Sequence, residues 1–258
     1  MLKYKAYFID LDGTIYQGQK KMPSGKRFID RLKEANIPYL FVTNNSTKTP
    51  ADVADNLTKN HDIETSAEQV YTSSMATADY LKMISSPEKK RVYLVGESGL
   101  RKALIDAGFT ITSDEHADFV VAGLDRAFNY EKLTTATLAI QRGAQFIATN
   151  RDTNLPNERG MLPGAGSLIS AIQTATQVEP TVIAKPEIPI MEGALNKLHI
   201  NRQDVIMVGD NYNTDILAGI NSQIDTLLVY SGVSTPKQIS QITQKPTYEV
   251  KTLDNWII

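Results

Sequence analysis

Short apolar runs alternate along this chain with longer stretches whose apolar residues recur at helical spacing. Ala6–Ile9, Tyr39–Thr43, Arg91–Val95, Asp118–Ala122, Gln145–Ala148, Val205–Gly209 and Thr226–Tyr230 read as buried strands. Between them, Ser24–Asn36 carries Phe28, Ile29, Leu32 and Ala35 on one face of a predicted helix. Thr49-Pro50 reads as an N-cap followed by proline at the first helical position, and Asp52 adds a carboxylate to that first turn. Val70-Tyr71 and then Ser74–Ile84 extend the strand–helix alternation. Helices are further predicted over 98–107 and 130–142, closed by Gly108 and Gly143, and over 167–176, 188–198, 214–220 and from Thr235-Pro236 onward. Tyr16–Met22 reads as a loop or small hairpin, and Arg151–Pro163 as a long loop or irregular hairpin. The polar break Ser85–Lys90 is a candidate domain boundary. Strands that alternate with helices in this way predict an α/β fold with a doubly wound parallel sheet.

The strands do not end as core strands ordinarily do. The first runs into Asp10-Leu11-Asp12-Gly13-Thr14, the second into Thr43-Asn44-Asn45-Ser46, and the Val205 strand into Gly209-Asp210. Thr181–Pro186 reads as a further strand with Lys185 at its end. Ionised carboxylates are costly to bury unless paired or metal-bound. Strand alternation would turn Asp10 and Asp12 to the same side, where the pair can hold a hard cation or divide nucleophile and acid/base roles. Asp-Gly is also a common turn dipeptide, which accounts for Asp12-Gly13 and leaves Asp10 unexplained. Singly, Thr43 is a β-branched strand residue, Lys185 a lysine before proline, and Asp210 or Asp215 a loop cap. Jointly they converge, because ligands of open parallel sheets bind outside the carboxyl ends of the strands.

Composition removes some kinds of chemistry. Of 258 residues, 41% are hydrophobic and 22% charged, as in a globular protein with ample core. The formal net charge of −2 gives no electrostatic case for nucleic acid or an anionic membrane. There is no cysteine, which excludes disulfides and thiolate chemistry, and His61, His116 and His199 form no ligand-spaced motif. The apolar stretch behind Lys3 and Lys5 breaks at Asp10, too early for a signal sequence, so a cytoplasmic protein is expected.

In these residues the sequence resembles the haloacid dehalogenase-like (HAD) phosphohydrolases. Asp10-Leu11-Asp12-Gly13-Thr14 is similar to the first family motif, Thr43 after an apolar strand to the second, Lys185 to the third, and Gly209-Asp210 with Asp215 to the fourth. Thr43-Asn44-Asn45-Ser46, Gly123-Leu124-Asp125 before Tyr130, Thr149-Asn150-Arg151-Asp152 and Ala184-Lys185-Pro186 resemble the NagD-like, or p-nitrophenyl phosphatase, subgroup. The resemblance implies a Rossmann-like core over 1–84 and 180–258 and an inserted α/β cap over 85–179.

It also implies a chemistry. Asp10 would be the nucleophile that takes the phosphoryl group, and Asp12 the general acid and then the base that activates water. Mg²⁺ would be held by the Asp10 and Asp210 carboxylates and the Asp12 backbone carbonyl, with Asp215 behind them or orienting Lys185. Thr43 and the Asn44 backbone would hydrogen-bond the phosphoryl oxygens, Lys185 would bind substrate and balance charge on nucleophile and phosphate, and Asn45 would also bind substrate. Asn150, Asp152, Asn154 and Asp125 of the cap, with Tyr16 and Gln17 after the first motif, are candidate substrate contacts. The substrate expected is a small phosphomonoester, and the resemblance implies a homodimer through the cap. Two other classes share such residues. A phospho-acceptor receiver module also combines acidic residues, Thr/Ser and Lys, but Asp12 and the large insertion argue against it. A non-catalytic phosphometabolite sensor would be expected to lack part of the motif set.

Overall fold

The computed structural model describes residues 4–157 and 159–258, so Lys3 lies outside the described residues. The chain gathers into two compact units. The first runs to Thr43 and resumes over Pro50–Tyr71 and Lys185–Ile258; the second takes Asn44–Thr49 and Thr72–Ala184.

Elements are numbered in chain order. In the first unit β1 (Ala6–Ile9), β4 (Tyr39–Thr43), β5 (Val70–Thr72), β13 (Val205–Gly209), β14 (Asp225–Val229) and β15 (Tyr248–Val250) form one sheet in the order β15-β14-β13-β1-β4-β5. β1 pairs in parallel with both β4 and β13, and β14 pairs in parallel with β13 and β15. The chain therefore leaves β1 toward β4 on one side and returns beside it as β13 on the other, which makes the end of β1 a switch point in strand order. One face of the sheet buries Tyr7, Ile9, Tyr39, Phe41, Ile206 and Val208 against α1 (Pro23–Glu34) and α2 (Pro50–His61). On the alternate positions Phe8, Leu40 and Met207 are also fully buried, and α7 (Ile188–Leu198) and α8 (Leu217–Asn221) contact the strands. Burial on both faces explains why these strands are continuously apolar. A small antiparallel hairpin, β2 (Tyr16–Gln17) and β3 (Lys20–Lys21), follows β1, and α9 (Pro236–Ser240) follows β14.

The second unit has its own parallel sheet of β6 (Arg91–Val95), β7 (Thr110–Thr112), β8 (Phe119–Ala122), β9 (Gln145–Ala148) and β12 (Thr181–Val182), in the order β12-β9-β8-β6-β7. Its core joins Val95, Val120 and Phe146 to Ala136 and Ile140 of α5 (Tyr130–Gln141) and Ile169 of α6 (Ala165–Thr176). The stretch read as a loop or irregular hairpin holds the antiparallel pair β10 (Asn154–Asn157) and β11 (Gly160–Pro163).

Three details differ from the sequence reading. The helix α3 (Ser73–Ile84) packs on α4 (Ser98–Asp106) and goes with the second unit, so the polar break at Ser85 is a turn inside that unit and not its edge. The stretch 181–186 is not a strand of the first sheet. Only Thr181–Val182 is extended, it pairs with β9, and Lys185 follows in irregular chain. The short edge strands β7 and β15 carry too few apolar residues to stand out. Among the described residues no helix is long and apolar enough to cross a membrane.

Candidate active site

β1 ends at Ile9, whose register partners are Val208 and Phe41, so Asp10 and Asp210 leave adjacent parallel strands at nearly the same level. The Asp10 N–H still donates to the Val208 carbonyl at 2.9 Å, which holds the residue on the ladder although its side chain has left the core. Lys185 is 2% exposed and lies between two carboxylates, 2.6 Å from Asp10 Oδ1 and 2.7 Å from Asp215 Oδ1. The second oxygen of Asp215 accepts the Asn211 N–H at 3.1 Å. Asp210, almost fully buried, accepts the Thr14 hydroxyl on Oδ1 at 3.2 Å and the Val233 N–H on Oδ2 at 2.7 Å. Asp10 Oδ2 accepts no hydrogen bond among the described residues, which leaves that oxygen available for chemistry.

The backbone around Asp210 is shaped to admit it. Gly13 has φ +86°, and a Cβ there would sit 2.4 Å from Asp210 Oδ2; a Cβ on Gly232 would come within 2.0 Å of the same oxygen. Only glycine fits at either position. After β13 the chain makes one wide π-helical turn, Tyr212–Ile216, which leads into α8 and carries Asp215 back beneath Lys185. The loop after β14 closes the far side. Ser231 Oγ donates to the Gly13 carbonyl at 2.7 Å, Ser234 N–H to the Asp210 carbonyl at 3.0 Å, and Tyr212 N–H to Ser234 Oγ at 2.8 Å. Sequence reasoning missed Ser231, Gly232, Val233 and Ser234. Their signal was a glycine between small polar residues just past an apolar strand, in register with the one that ends in Asp210.

Charge is out of balance here. One carboxylate oxygen from each of Asp10, Asp210 and Asp215 lies within 4.8 Å of the others, and one ammonium, Lys185, sits among them. Burial raises the Asp10 pKa well above the usual carboxylate range, and Asp215 adds to the shift while Lys185 opposes it. Burial and then Asp215 push Asp210 up to about 6. Burial alone would lower the pKa of Lys185, but Asp10 and Asp215 more than reverse that. A hard-oxygen donor set with excess negative charge fits a small divalent cation.

β1 ends at Ile9, and Asp12 lies beyond it in an isolated bridge with Tyr16. The Thr14 and Ile15 N–H groups turn back onto the Leu11 carbonyl, and the exposed Asp12 carboxylate accepts the Gly18 N–H from the hairpin at 3.0 Å. Tyr16, expected as a substrate contact, is half-buried; its pKa is raised by burial and then by Asp12 and Asp10. Thr43 is buried at the end of β4, beside β1.

Apart from Gln17, the remaining predicted residues belong to the second unit, where Asn44, Asn150 and Asp152 form a network. The Asn44 carbonyl accepts Ser73 Oγ at 2.7 Å and Asn150 Nδ2 at 3.0 Å, while Asn44 Nδ2 lies 3.3 Å from Asp152 Oδ1. Asn150 is buried, and its Oδ1 accepts the Asp152 N–H. Asn45 Oδ1 caps the next turn through the Thr47 and Lys48 N–H groups. Asp125 is buried against Lys132 at 2.6 Å and accepts the Ala127 N–H, and Asn154 Oδ1 accepts the Thr153 hydroxyl at 3.1 Å. Gln17, exposed, pairs with Lys20 in the β2–β3 hairpin.

A carboxylate set at a switch point, joined by one buried lysine, is the kind of site that open α/β folds use for phosphoryl chemistry. Residues 7–110 match the family described as haloacid dehalogenase-like hydrolase, and residues 182–256 match its HAD-hydrolase-like counterpart. The chain is 48% identical to the 5'-nucleotidase YutF of Bacillus subtilis, covering 100% of this chain and 99% of that one. It is 49% identical to an acid sugar phosphatase of Staphylococcus aureus, over 100% and 98% of the two chains. Among solved structures, a mutant of the thermostable p-nitrophenylphosphatase from Bacillus stearothermophilus superposes with a TM-score of 0.90 at 50% identity, over 100% and 99% of the chains. NagD from Escherichia coli K-12 does so with a TM-score of 0.92 at 33% identity, over 99% of each. The chain belongs to the haloacid dehalogenase-like hydrolases, in the subgroup of NagD-like phosphatases, and is a phosphoric monoester hydrolase.

Proposed function

We propose that this protein is a Mg²⁺-dependent phosphatase of small phosphomonoesters that works through an aspartyl phosphate on Asp10. The observation that carries the reading is the state of the Asp10 carboxylate, with one oxygen held by Lys185 and the other without a hydrogen bond among the described residues. A carboxylate so fixed meets phosphorus in a single orientation.

In the first half-reaction Asp10 oxygen bonds to phosphorus and the ester P–O bond breaks. The Asp12 carboxyl gives its proton to the departing alcohol oxygen. In the second, Asp12, now a carboxylate, takes a proton from water as that water bonds to phosphorus. The bond to Asp10 breaks, inorganic phosphate leaves, and both aspartates return to their starting states. Lys185 balances charge on nucleophile and phosphoryl group throughout, and the Thr43 hydroxyl with the Asn44 backbone N–H binds phosphoryl oxygens. Asp10 and Asp210, with the Asp12 backbone carbonyl, would hold Mg²⁺, which supplies the positive charge that a carboxylate needs to approach a phosphate dianion. Within the second unit, polar atoms of Asn150 and Asp152 fix Asn44.

The substrate class follows the names of the relatives, a 5'-nucleotidase and an acid sugar phosphatase, and is therefore a nucleoside monophosphate or a sugar phosphate. With Mg²⁺ the protein should release phosphate from p-nitrophenyl phosphate. EDTA should abolish release, and Asp10→Asn should lower it by about 10³-fold or more with the circular dichroism spectrum unchanged. Full activity in Asp10→Asn would overturn the nucleophile assignment. A panel of nucleoside monophosphates and sugar phosphates, ranked by kcat/KM, then decides between the two substrate classes.

A further inference from the structure

His61 ends α2, is 4% exposed, and lies flat against Tyr16, with ring centroids 4.3 Å apart and planes 14° from parallel. Its Nδ1 is buried with no hydrogen-bond partner among the described residues. Burial, and then Lys21, hold its pKa below the usual histidine value, so the ring is neutral near pH 7. What His61 supplies here is the flat face of the ring.

That face supports the peptide that aims Asp12. The Tyr16 carbonyl accepts the Gly13 N–H at 2.7 Å, and the Tyr16 N–H donates to the Leu11 carbonyl at 3.3 Å, so the backbone of Tyr16 is tied to both sides of Asp12. Tyr16 also opens the hairpin β2–β3, pairing with Lys21, and the tip of that hairpin gives the Gly18 N–H to Asp12 Oδ1 at 3.0 Å. The hairpin is also tied to the end of α2 by an ion pair between Lys21 and Asp62. Both partners are more than half exposed, so the pair contributes little. The stack is the firm anchor.

We infer that His61 is a positioning residue for proton transfer: by stacking on Tyr16 it holds the hairpin that fixes the Asp12 carboxyl toward the leaving oxygen. The inference rests on Asp12 being the proton donor. If the stack is lost, Tyr16 and the hairpin gain freedom, Gly18 releases Asp12, and donation fails while the Asp10, Lys185 and Asp210 cluster is left intact.

The experiment exploits the leaving group. p-Nitrophenolate departs without a proton, whereas phenolate departs much faster when protonated, so loss of an aligned acid slows phenyl phosphate selectively. The ratio of kcat/KM for p-nitrophenyl phosphate to that for phenyl phosphate is measured for the wild type, His61→Ala, His61→Phe and Asp12→Asn. Because it is a ratio, any unfolded fraction cancels. Asp12→Asn should raise it strongly, His61→Ala by about tenfold, a part of the roughly 10²–10⁴ that general acid catalysis contributes. His61→Phe, which keeps a flat ring, should return it to within about twofold of wild type. A raised ratio in Asp12→Asn with a wild-type ratio in His61→Ala overturns the positioning role alone. An unchanged ratio in Asp12→Asn overturns the acid assignment and this inference with it. If His61→Ala yields no soluble protein, His61→Leu, which fills the space without a flat ring, is read in the same way.

Discussion

The oxygens of Asp210 are enclosed by Thr14, Val233 and two glycines that have no room for a Cβ, so at the scale of single residues the site tolerates almost no added volume. Gly13→Ala places a methyl group against the Asp210 carboxylate and an L side chain at φ +86°. It should cost about 1–3 kcal/mol in urea denaturation and lower phosphatase activity well beyond what that instability accounts for. Lys185 presents the opposite problem, because its charge cannot be spared. Lys185→Met removes the ammonium that Asp10 and Asp215 share and leaves buried carboxylates facing each other. A loss of about 3–5 kcal/mol at neutral pH is expected, together with loss of activity. A variant as stable as the wild type would show that the carboxylates do not depend on Lys185.

Elements bring these residues together by their ends. β1, β4 and β13 are adjacent and parallel, so whatever follows each of them meets at one edge of the sheet. The π-helical turn after β13 returns Asp215 to Lys185, which a helix begun directly at Thr214 would not have suggested. The end of α2 matters for another reason. His61 faces Tyr16, Lys21, Asp62 and Asp12, and its neutral form is the one favoured in the fold. An unfolded chain takes up a proton near the ordinary histidine value of about 6.5 and the folded protein only at lower pH. Stability from His61 is therefore fully present above about pH 6.5 and lost as pH falls from there toward its folded value. The stability difference between wild type and His61→Phe, from denaturation at pH 7.5 and 5.5, should shift in favour of the variant at the lower pH. A difference independent of pH would mean that the imidazole is not held neutral.

At the scale of the molecule, one large core is built on Tyr7, Phe41 and Val208 and another on Val95, Val120 and Phe146, with a smaller cluster of Tyr212, Ile216, Leu228 and Ile239. Each of the two large cores has its own parallel sheet, and each should open as its own cooperative unit. Ile169→Ala removes a buried side chain of the second core and should cost about 2–5 kcal/mol there. In native-state hydrogen exchange, protection should fall in β6, β8 and β9 while amides of β1, β4 and β13 keep theirs. Equal losses in both sheets would mean that the chain unfolds as one unit.

The sequence by itself determined a great deal, because the strongest signals were local. Continuous apolar runs such as Tyr39–Val42 and Val205–Val208 announce strands buried on both faces, and the acidic or hydroxyl residues directly after them are too costly there to be incidental. Asp10, Thr43 and Asp210 were legible for that reason, and Lys185 and Asp215 through the family motifs they resemble. What depends on contacts between distant segments was not. The loop Ser231–Ser234 looks like an ordinary turn until the sheet sets β14 beside β13 and brings it onto Asp210. Lys185 was singled out from a strand that does not exist in that sheet, since only packing decides which sheet Thr181–Val182 joins. His61 carried no signal at all, because a lone histidine at a helix end acquires meaning only through the ring it covers. Sequence marked where chemistry is affordable along the chain; the tertiary structure decided which carboxylates share one lysine and what holds each of them still.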